Sequence, residues 1–321
     1  MKKLILLLFI PIVFTCSSDS SDDNIDDTNP VYLDSNGVTI KARDWAVVGE
    51  SGTINGITYT IVNRETLDNM IDNQEDLTRI CTSKIIDMSY LFWGCNVDFN
   101  QPIGNWDVSN VTDMSRMFGG DGEPFLSETH CELQHMVSFN QDISLWDVSN
   151  VTNMRSMFAN AKNFNQDISS WDVSNVEDMS GMFAGGSYYD IDNNIWVLTH
   201  SFNQPLNNWY VSSVTTMQGM FYQSTFNKPI DNWDVSSVET MHAMFAGSLF
   251  NQPIGNWDVG NVNDMSWMLH NTSYNQDLSN WDVNNVINCG NFCPRGWFSY
   301  NNIDWALYPN FTNCGFFPCD G

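Results

Sequence analysis

The chain has 321 residues, of which 12 are basic and 38 are acidic, so its formal net charge is −26 at pH 7. With 42% hydrophobic and 13% aromatic residues it can form a packed core, which argues against disorder over most of its length. This charge repels nucleic acid and anionic lipid surfaces, so we expect neither as a partner. Cationic partners, divalent metals and neutral glycans are compatible with it, as is a charge that serves only solubility.

The N-terminal residues have the pattern of an export signal that ends in a cysteine. Two lysines precede an apolar run, Leu4–Phe14, which is shorter than the roughly 20 residues that span a bilayer. The run ends in Val-Phe-Thr-Cys, which resembles the lipobox of bacterial lipoproteins, where the cysteine is lipidated. We therefore predict a lipoprotein signal peptide at residues 1–15 and lipidation of Cys16. Thr15 replaces the usual Gly or Ala, and an ordinary signal peptide with a coincidental cysteine is the alternative.

The stretch after the predicted lipidation site reads SSDSSDDNIDDTNP. Such a composition cannot bury apolar surface, so we predict a flexible acidic tether at residues 16–30. It is loosely similar to the acidic export signal of surface-displayed lipoproteins in some Gram-negative bacteria. That resemblance implies a protein lipid-anchored to the bacterial outer membrane and exposed at the cell surface.

One sequence pattern recurs along most of the chain. The stretch FNQPIGNWDVSNVTDM, residues 99–114, returns in six near-copies, and the tryptophans that mark the seven units lie 40, 25, 38, 24, 24 and 24 residues apart. Insertions at 119–138 and 185–201 account for the two long intervals. The undisturbed period falls in the range of leucine-rich repeats, below the about 40–45 residues of a propeller blade.

The apolar positions of each repeat predict a coil. Val151, Met154, Met157 and Phe158 have counterparts in the other repeats, and their spacing fits neither a long helix nor an alternating strand. We predict a short strand at Val-x-x-Met and a short helical turn at Ser-x-Met-Phe. No coil buries its apolar side alone, so neighbours must supply the core. The predicted fold class is an α/β solenoid, a leucine-rich-repeat-like stack of coils of about 24–25 residues that is capped at both ends.

The segments NVTDMSRMFGG and FNQPIGNWDVS resemble the BspA-like leucine-rich-repeat surface proteins, and more closely the Met-Phe/Trp-Asp-Val-Ser branch of bacterial surface lipoproteins. The resemblance covers about residues 54–314. It implies a surface-exposed, non-enzymatic interaction protein without catalytic residues to transfer. We accordingly divide the chain into an N-terminal cap at 31–83, a repeat region at 84–288 and a C-terminal cap at 289–321.

Four cysteines lie at the C-terminal end of the repeats. Cys289 and Cys293 occupy positions that hold a core Met and Phe in other repeats, and Cys314 and Cys319 follow. In an exported protein this pattern predicts two disulfides, and we prefer Cys289–Cys314 with Cys293–Cys319. Other pairings stay open, and a zinc site is the alternative.

The remaining cysteines of the exported chain are odd in number. A Cys95–Cys131 disulfide would tether the first insertion, whereas Cys81–Cys95 would hold the N-terminal cap. Either pairing leaves one thiol without a predicted role.

No catalytic motif is present, and the candidates for metal binding are weak. Asp190 and Asp192 give the second insertion a partial likeness to a calcium loop, but the central Gly and distal Glu are missing. The aspartates that follow the repeat tryptophans suit turns first and cations second. We expect no cofactor, with Ca²⁺ as a weak candidate.

The insertions carry the most distinctive aromatic residues, namely Tyr188, Tyr189 and Trp196 in the second and Phe125 in the first. Exposed aromatics suit recognition of a protein or glycan, unless they fold back onto the base of the insertion. We predict a non-enzymatic adhesion or interaction lipoprotein that binds a protein or glycan, on a host or neighbouring-cell surface, through the solenoid face and the inserted loops. A glycan-active enzyme, which needs a pair of carboxylates outside the repeat pattern, and a passive spacer are the alternatives.

Overall fold

The computed structural model describes residues 28–92, 99–119, 138–191, 193, 195–294 and 304–314. The predicted signal peptide and the tether up to residue 27 lie outside these ranges. Among the described residues, none of the helices is long and apolar enough to cross a membrane.

Two small sheets form the N-terminal part of the molecule. Strands β1 (Val31–Leu33) and β2 (Ile40–Ala42) pair antiparallel. Strands β3 (Ser51–Ile54) and β4 (Ile57–Ile61) form an antiparallel hairpin, and β5 (Ile80–Cys81) lies parallel to β4. All five strands fall within the segment predicted as the N-terminal cap.

Helix α1 (Arg64–Asp72) lies between β4 and β5. Its N-cap is Asn63, whose side chain accepts a hydrogen bond from the backbone N–H of Thr66 at 2.9 Å. The helix buries Leu67 and Ile71 against the main core, and it ends just before Gln74, which has a positive φ of 57°. The helix therefore covers the apolar end of the first repeat.

Consecutive repeats lie side by side and are joined by parallel backbone contacts. Alternate backbone N–H groups donate to the next repeat, as from Met114, Arg116 and Phe118 to carbonyl oxygens 2.8–2.9 Å away. An isolated parallel bridge marks each junction, and the bridge residues are Asp87, Asp113, Asn153, Asp178, Thr216, Thr240, Asp264 and Asn288. The junction of Asp178 with Thr216 has a second bridge, between His200 and Ser224. Each repeat thus satisfies much of its backbone through its neighbours.

The predicted α/β solenoid with leucine-rich-repeat-like strands and helical turns is wrong. In the described ranges the only α-helix has nine residues and lies outside the repeats, and the chain forms three small sheets, none of which runs through the repeats. One residue per repeat, just before the second Met or its counterpart, has a positive φ of 52–62°; these are Tyr90, Arg116, Ser156, Gly181, Gly219, Ala243, Trp267 and Asn291. A left-handed residue interrupts both a helical turn and a strand, so turns and single bridges replace them.

The core is a column of aromatic rings and methionines. The rings of Phe118 and Phe158, one repeat apart, stack with centroids 5.5 Å from each other, and Phe118 also stacks on Phe139 at 4.1 Å. Met154 and Met157 are fully buried, as the repeat pattern predicts. Offset stacking of this kind adds to the hydrophobic stabilisation of the core.

Each repeat tryptophan also makes one directed polar contact. The indole N–H of Trp257 donates to the carbonyl oxygen of Ile230 in the preceding repeat at 3.1 Å, and that of Trp233 donates to Leu206 at 2.8 Å. The same contact is made by Trp106, Trp146, Trp171, Trp209 and Trp281. The buried donors are therefore satisfied.

A row of asparagines also joins the repeats. The side-chain oxygen of Asn203 accepts from the backbone N–H of Asn227 at 2.9 Å, and Asn227 does the same for Asn251 at 2.9 Å. The glutamine that follows extends the pattern, because Gln252 Nε2 donates to the side-chain oxygen of Asn227 at 3.0 Å. The Phe-Asn-Gln triplet is thus a structural connector.

Close approach between repeats predicts that Gly255→Ala destabilises the fold. A Cβ at this position would lie 2.3 Å from the carbonyl oxygen of Asp277, so the backbone would have to shift. We expect the free energy of unfolding to fall by roughly 1–3 kcal/mol, measured by urea unfolding followed through tryptophan fluorescence. Gly290→Ala is the matched control, since a Cβ there has no atom within 4 Å. Equal effects of the two substitutions would contradict the prediction.

Candidate binding surface

The second insertion forms a two-stranded hairpin that departs from the repeat. Strands β6 (Ser187–Asp190) and β7 (Ile195–Leu198) pair antiparallel, and we call residues 187–198 the hairpin. Tyr188 lies opposite Val197, and Tyr189 lies opposite Trp196 in this register. Three of the four insertion aromatics singled out from the sequence therefore share one small sheet, while Phe125 lies outside the described residues.

Apolar side chains of the hairpin are exposed. Tyr188 is 50% exposed, Ile195 is 51% exposed, and Ile191 at the tip is 82% exposed. Tyr188 therefore does not fold back fully onto the base of the insertion, because half of its surface is in solvent. The two isoleucines did not stand out in the sequence, because nothing in the repeat pattern indicates how far an inserted residue projects.

The base of the hairpin is held tightly. The backbone N–H of Gly186 donates to the Thr199 hydroxyl at 3.1 Å, and the backbone N–H of Thr199 donates to the carbonyl of Gly186 at 2.9 Å. At Gly185 a Cβ would lie 2.5 Å from the carbonyl oxygen of Gln223, so the chain can leave the repeat here only with a glycine. The hairpin therefore projects from a fixed point.

His200 follows strand β7 and fixes the chain where it re-enters the repeat. The sequence did not identify it as a structural residue. It is 1% exposed; its Nδ1 accepts from the backbone N–H of Phe202 at 3.3 Å, and its Nε2 donates to the carbonyl of Phe158 at 3.1 Å. Nδ1 can accept only while it carries no proton, so the bond from Phe202 requires the neutral ring, and burial lowers the pKa of His200 to about 4. Ser224 and Ser248 hold the equivalent position in later repeats and likewise accept from a Phe N–H, which is the signal that could have identified it.

The tip of the hairpin is closed by a side-chain contact. Both carboxylate oxygens of Asp190 accept from Asn193, one from the backbone N–H at 3.1 Å and the other from Nδ2 at 2.8 Å. Asp190, proposed from sequence as part of a calcium-loop likeness, serves here as a turn residue; Asp192 lies outside the described residues. Within the described ranges, there is no group of three or more His, Cys, Asp or Glu side chains that could hold a metal ion.

The aspartates after the repeat tryptophans also shape turns. Asp234 Oδ1 accepts from the backbone N–H of Ser236 at 3.1 Å and from its hydroxyl at 2.6 Å, and these bonds lower the pKa of the carboxyl group. Asp147 and Ser149 repeat the arrangement. The turn-forming interpretation of these residues accounts for their recurrence.

The C-terminal end of the repeats carries a disulfide between Cys289 and Cys314, the pair preferred from the repeat register. Cys293 is disulfide-bonded as well, and its preferred partner Cys319 lies outside the described residues. Cys289 and Cys293 are both buried in the main core. The disulfide therefore fastens the last segment directly to the core of the final repeat.

At the other end, Cys81 is a free, buried cysteine, so the predicted alternative of a Cys81–Cys95 disulfide is wrong. The Cys81 thiol contacts the carbonyl oxygen of Ile40 at 3.3 Å, and burial raises its pKa. It packs with Val31 and Ile61 in the small core between the two N-terminal sheets. Both partners of the other predicted pairing, Cys95–Cys131, lie outside the described residues.

Comparison with known families identifies the repeats. Residues 63–130, 126–201 and 194–301 each match the model of the family described as "Mycoplasma protein of unknown function, DUF285". The chain belongs to this family. No match is found among curated proteins or among solved structures. The three consecutive matches show that the DUF285 region is itself repetitive, as the sequence pattern predicts.

The buried His200 predicts acid sensitivity of this DUF285 protein. Its folded pKa of about 4 lies below the ordinary value of 6.5, so between these pH values only the unfolded state binds the proton. Stability is full above pH 6.5 and falls as the pH decreases toward 4, by up to about 3 kcal/mol. Urea unfolding between pH 7 and 4 measures the loss.

The matched variant is His200→Ser, which restores the residue of the neighbouring repeats. In this variant the free energy of unfolding should depend less steeply on pH between 6.5 and 4, because the His200 contribution is missing. Carboxyl groups with lowered pKa values, such as Asp234, titrate below 3.8 and are common to both proteins. Identical slopes for the two proteins would contradict the assignment.

Proposed function

We propose that the protein is a non-enzymatic, surface-displayed lipoprotein that resembles the BspA-like proteins and uses the hairpin to bind a protein or glycan ligand. One observation carries this proposal: the hairpin breaks the repeat and exposes apolar side chains, with Ile191 82% exposed at its tip. Single exposed apolar residues are ordinary, but a contiguous group on a projecting element is typical of an interaction site.

The strands of the hairpin offer two means of recognition. Each pairs only with the other in the described sheet, so each has an outer edge whose backbone groups can pair with an extended segment of a partner. Tyr188 and Ile195, both about half exposed, supply apolar contact area beside these edges. A polypeptide ligand can use both the strand edges and the apolar side chains. A glycan ligand can use the ring of Tyr188 and the backbone amide groups of the edges.

The hydrogen-bonded base of the hairpin favours a role in binding. The N–H of Gly185 donates to the carbonyl oxygen of Tyr222 in the next repeat at 2.7 Å. Gly186 and Thr199 are hydrogen-bonded to each other at the base of the hairpin, and the adjacent His200 is buried. An element held in place before it meets its ligand loses less conformational entropy on binding. The net charge of −26 favours a neutral or cationic ligand surface.

Deletion of residues 186–199 tests the proposal. It joins Gly185 to His200 and yields Ala-Gly-His-Ser-Phe, which has the same length as Ala-Gly-Ser-Leu-Phe at residues 246–250 of an uninterrupted repeat. We expect the intact exported chain to bind members of a set of purified extracellular proteins or a printed glycan array. The deletion should weaken that binding at least tenfold, measured by biolayer interferometry.

Tyr210→Ala provides the control, because Tyr210 is 76% exposed but lies in a repeat. It should leave binding unchanged, and Ile191→Asp should reproduce the effect of the deletion. Absence of binding by the intact chain would favour a passive spacer. Binding that survives the deletion would show that the hairpin is not the site.

The anchoring part of the proposal rests on the N-terminal pattern and has its own test. We expect cells that express the full chain to incorporate labelled fatty acid into it, and protease added to intact cells to cleave it. Cys16→Ala should abolish the label and release the protein from the membrane fraction. Label retained by the variant would refute lipidation at Cys16.

A further inference from the structure

A groove lies where the N-terminal sheets meet the first two repeats, well away along the chain from the hairpin. We call it the cap groove. Its volume is about 540 Å³, inside the roughly 300–1,000 Å³ that small-molecule sites occupy. All the residues that line it are described, and they come from five separate segments of the chain.

Part of the lining of the cap groove is apolar. Val38, between β1 and β2, is 38% exposed, Ile57, at the start of β4, is 43% exposed, and Pro102 lies in the first repeat. The ring of Tyr59 adds a flat aromatic surface and is held by packing on the small N-terminal core. These groups form a wall of limited size, suited to the C–H face of a compact ligand.

Two amides lie beside this wall in fixed orientations. Asn105 Nδ2 donates to the carbonyl of Thr78 at 3.1 Å. Gln141 Nε2 donates to the backbone and side-chain oxygens of Asn100 at 3.1 Å and 3.0 Å. These bonds use the amide nitrogens, so each side chain keeps its oxygen as an acceptor for a ligand hydroxyl.

One charged group of each sign completes the lining. Asp142 Oδ1 accepts from the backbone N–H of Ser144 at 2.9 Å, and this bond lowers the pKa of the carboxyl group, so the group is charged at neutral pH. Arg79 lies among the lining residues, and its Nε is 3.7 Å from Asp76 in an exposed ion pair. The cap groove therefore offers donors and acceptors around an aliphatic and aromatic wall.

We propose that the cap groove is a carbohydrate-binding site that takes a pyranose residue of an uncharged glycan. The apolar wall contacts the C–H face of the sugar, the oxygens of Asp142, Gln141 and Asn105 accept from its hydroxyls, and Arg79 donates to its oxygens. An anionic ligand would meet the Asp142 carboxylate and the overall negative charge, which disfavours it. The site is independent of the hairpin and of the ligand proposed there.

Saturation-transfer NMR with methyl glycosides of glucose, galactose, mannose and N-acetylglucosamine tests this site on the full exported chain. We expect saturation transfer to at least one glycoside, and a loss of affinity of at least tenfold in Asp142→Ala and in Arg79→Ala. Absence of transfer to every glycoside would overturn the proposal.

The matched control is Asp167→Ala. Asp167 holds the same position one repeat later, where it accepts from the Ser169 N–H at 3.0 Å with a lowered pKa, but it does not line the groove. Asp142→Ala and Asp167→Ala remove the same turn contact, so a shared structural defect would weaken both equally and refute the assignment. The 186–199 deletion should keep glycoside binding, which separates this result from the outcome at the hairpin.

Discussion

The hydrogen bonds and ring contacts between consecutive repeats are what the rest of the structure depends on. One repeat leaves alternate backbone N–H groups, a tryptophan N–H and its phenylalanine faces without internal partners, and each finds its partner one repeat away. A buried polar group left unpaired is unfavourable by about 1–3 kcal/mol. Each repeat is therefore stable only between two others, and the two ends need the cover that helix α1 and the Cys289–Cys314 segment provide.

The same constraint determines where recognition can be added. Positions inside the repeat are committed to structure, as the Asp234 turn and the Asn227 connector show. An insertion is tolerated where the chain leaves the repeat and re-enters it at the same point. For the hairpin, the hydrogen bonds between Gly186 and Thr199 hold the two ends of the insertion together. The cap groove occupies another such place, the junction between non-repeating strands and the first repeats.

Several features could be predicted from the sequence because they depend on residue type and period alone. The period, the buried positions of Met154 and Phe158, and the place of the second insertion are examples, and the register also indicated Cys289 as a core residue. The α/β class was wrong because the left-handed residue has no sequence signature; Trp267 and Arg116 occupy this position as well as Gly181. Its steric strain is offset by hydrogen bonds to neighbouring repeats, which local sequence does not reveal.

The sequence by itself determined that a unit of about 24 residues recurs, and which of its side chains must leave water. Tertiary structure decided which groups are brought together across long separations. It buries His200, next to the hairpin, as a neutral ring, and it brings Ile57, Tyr59 and Asp142 into the lining of one groove. The physical reason is that burial follows from the apolar pattern along the chain, whereas the environment of a polar group depends on neighbours that only folding supplies.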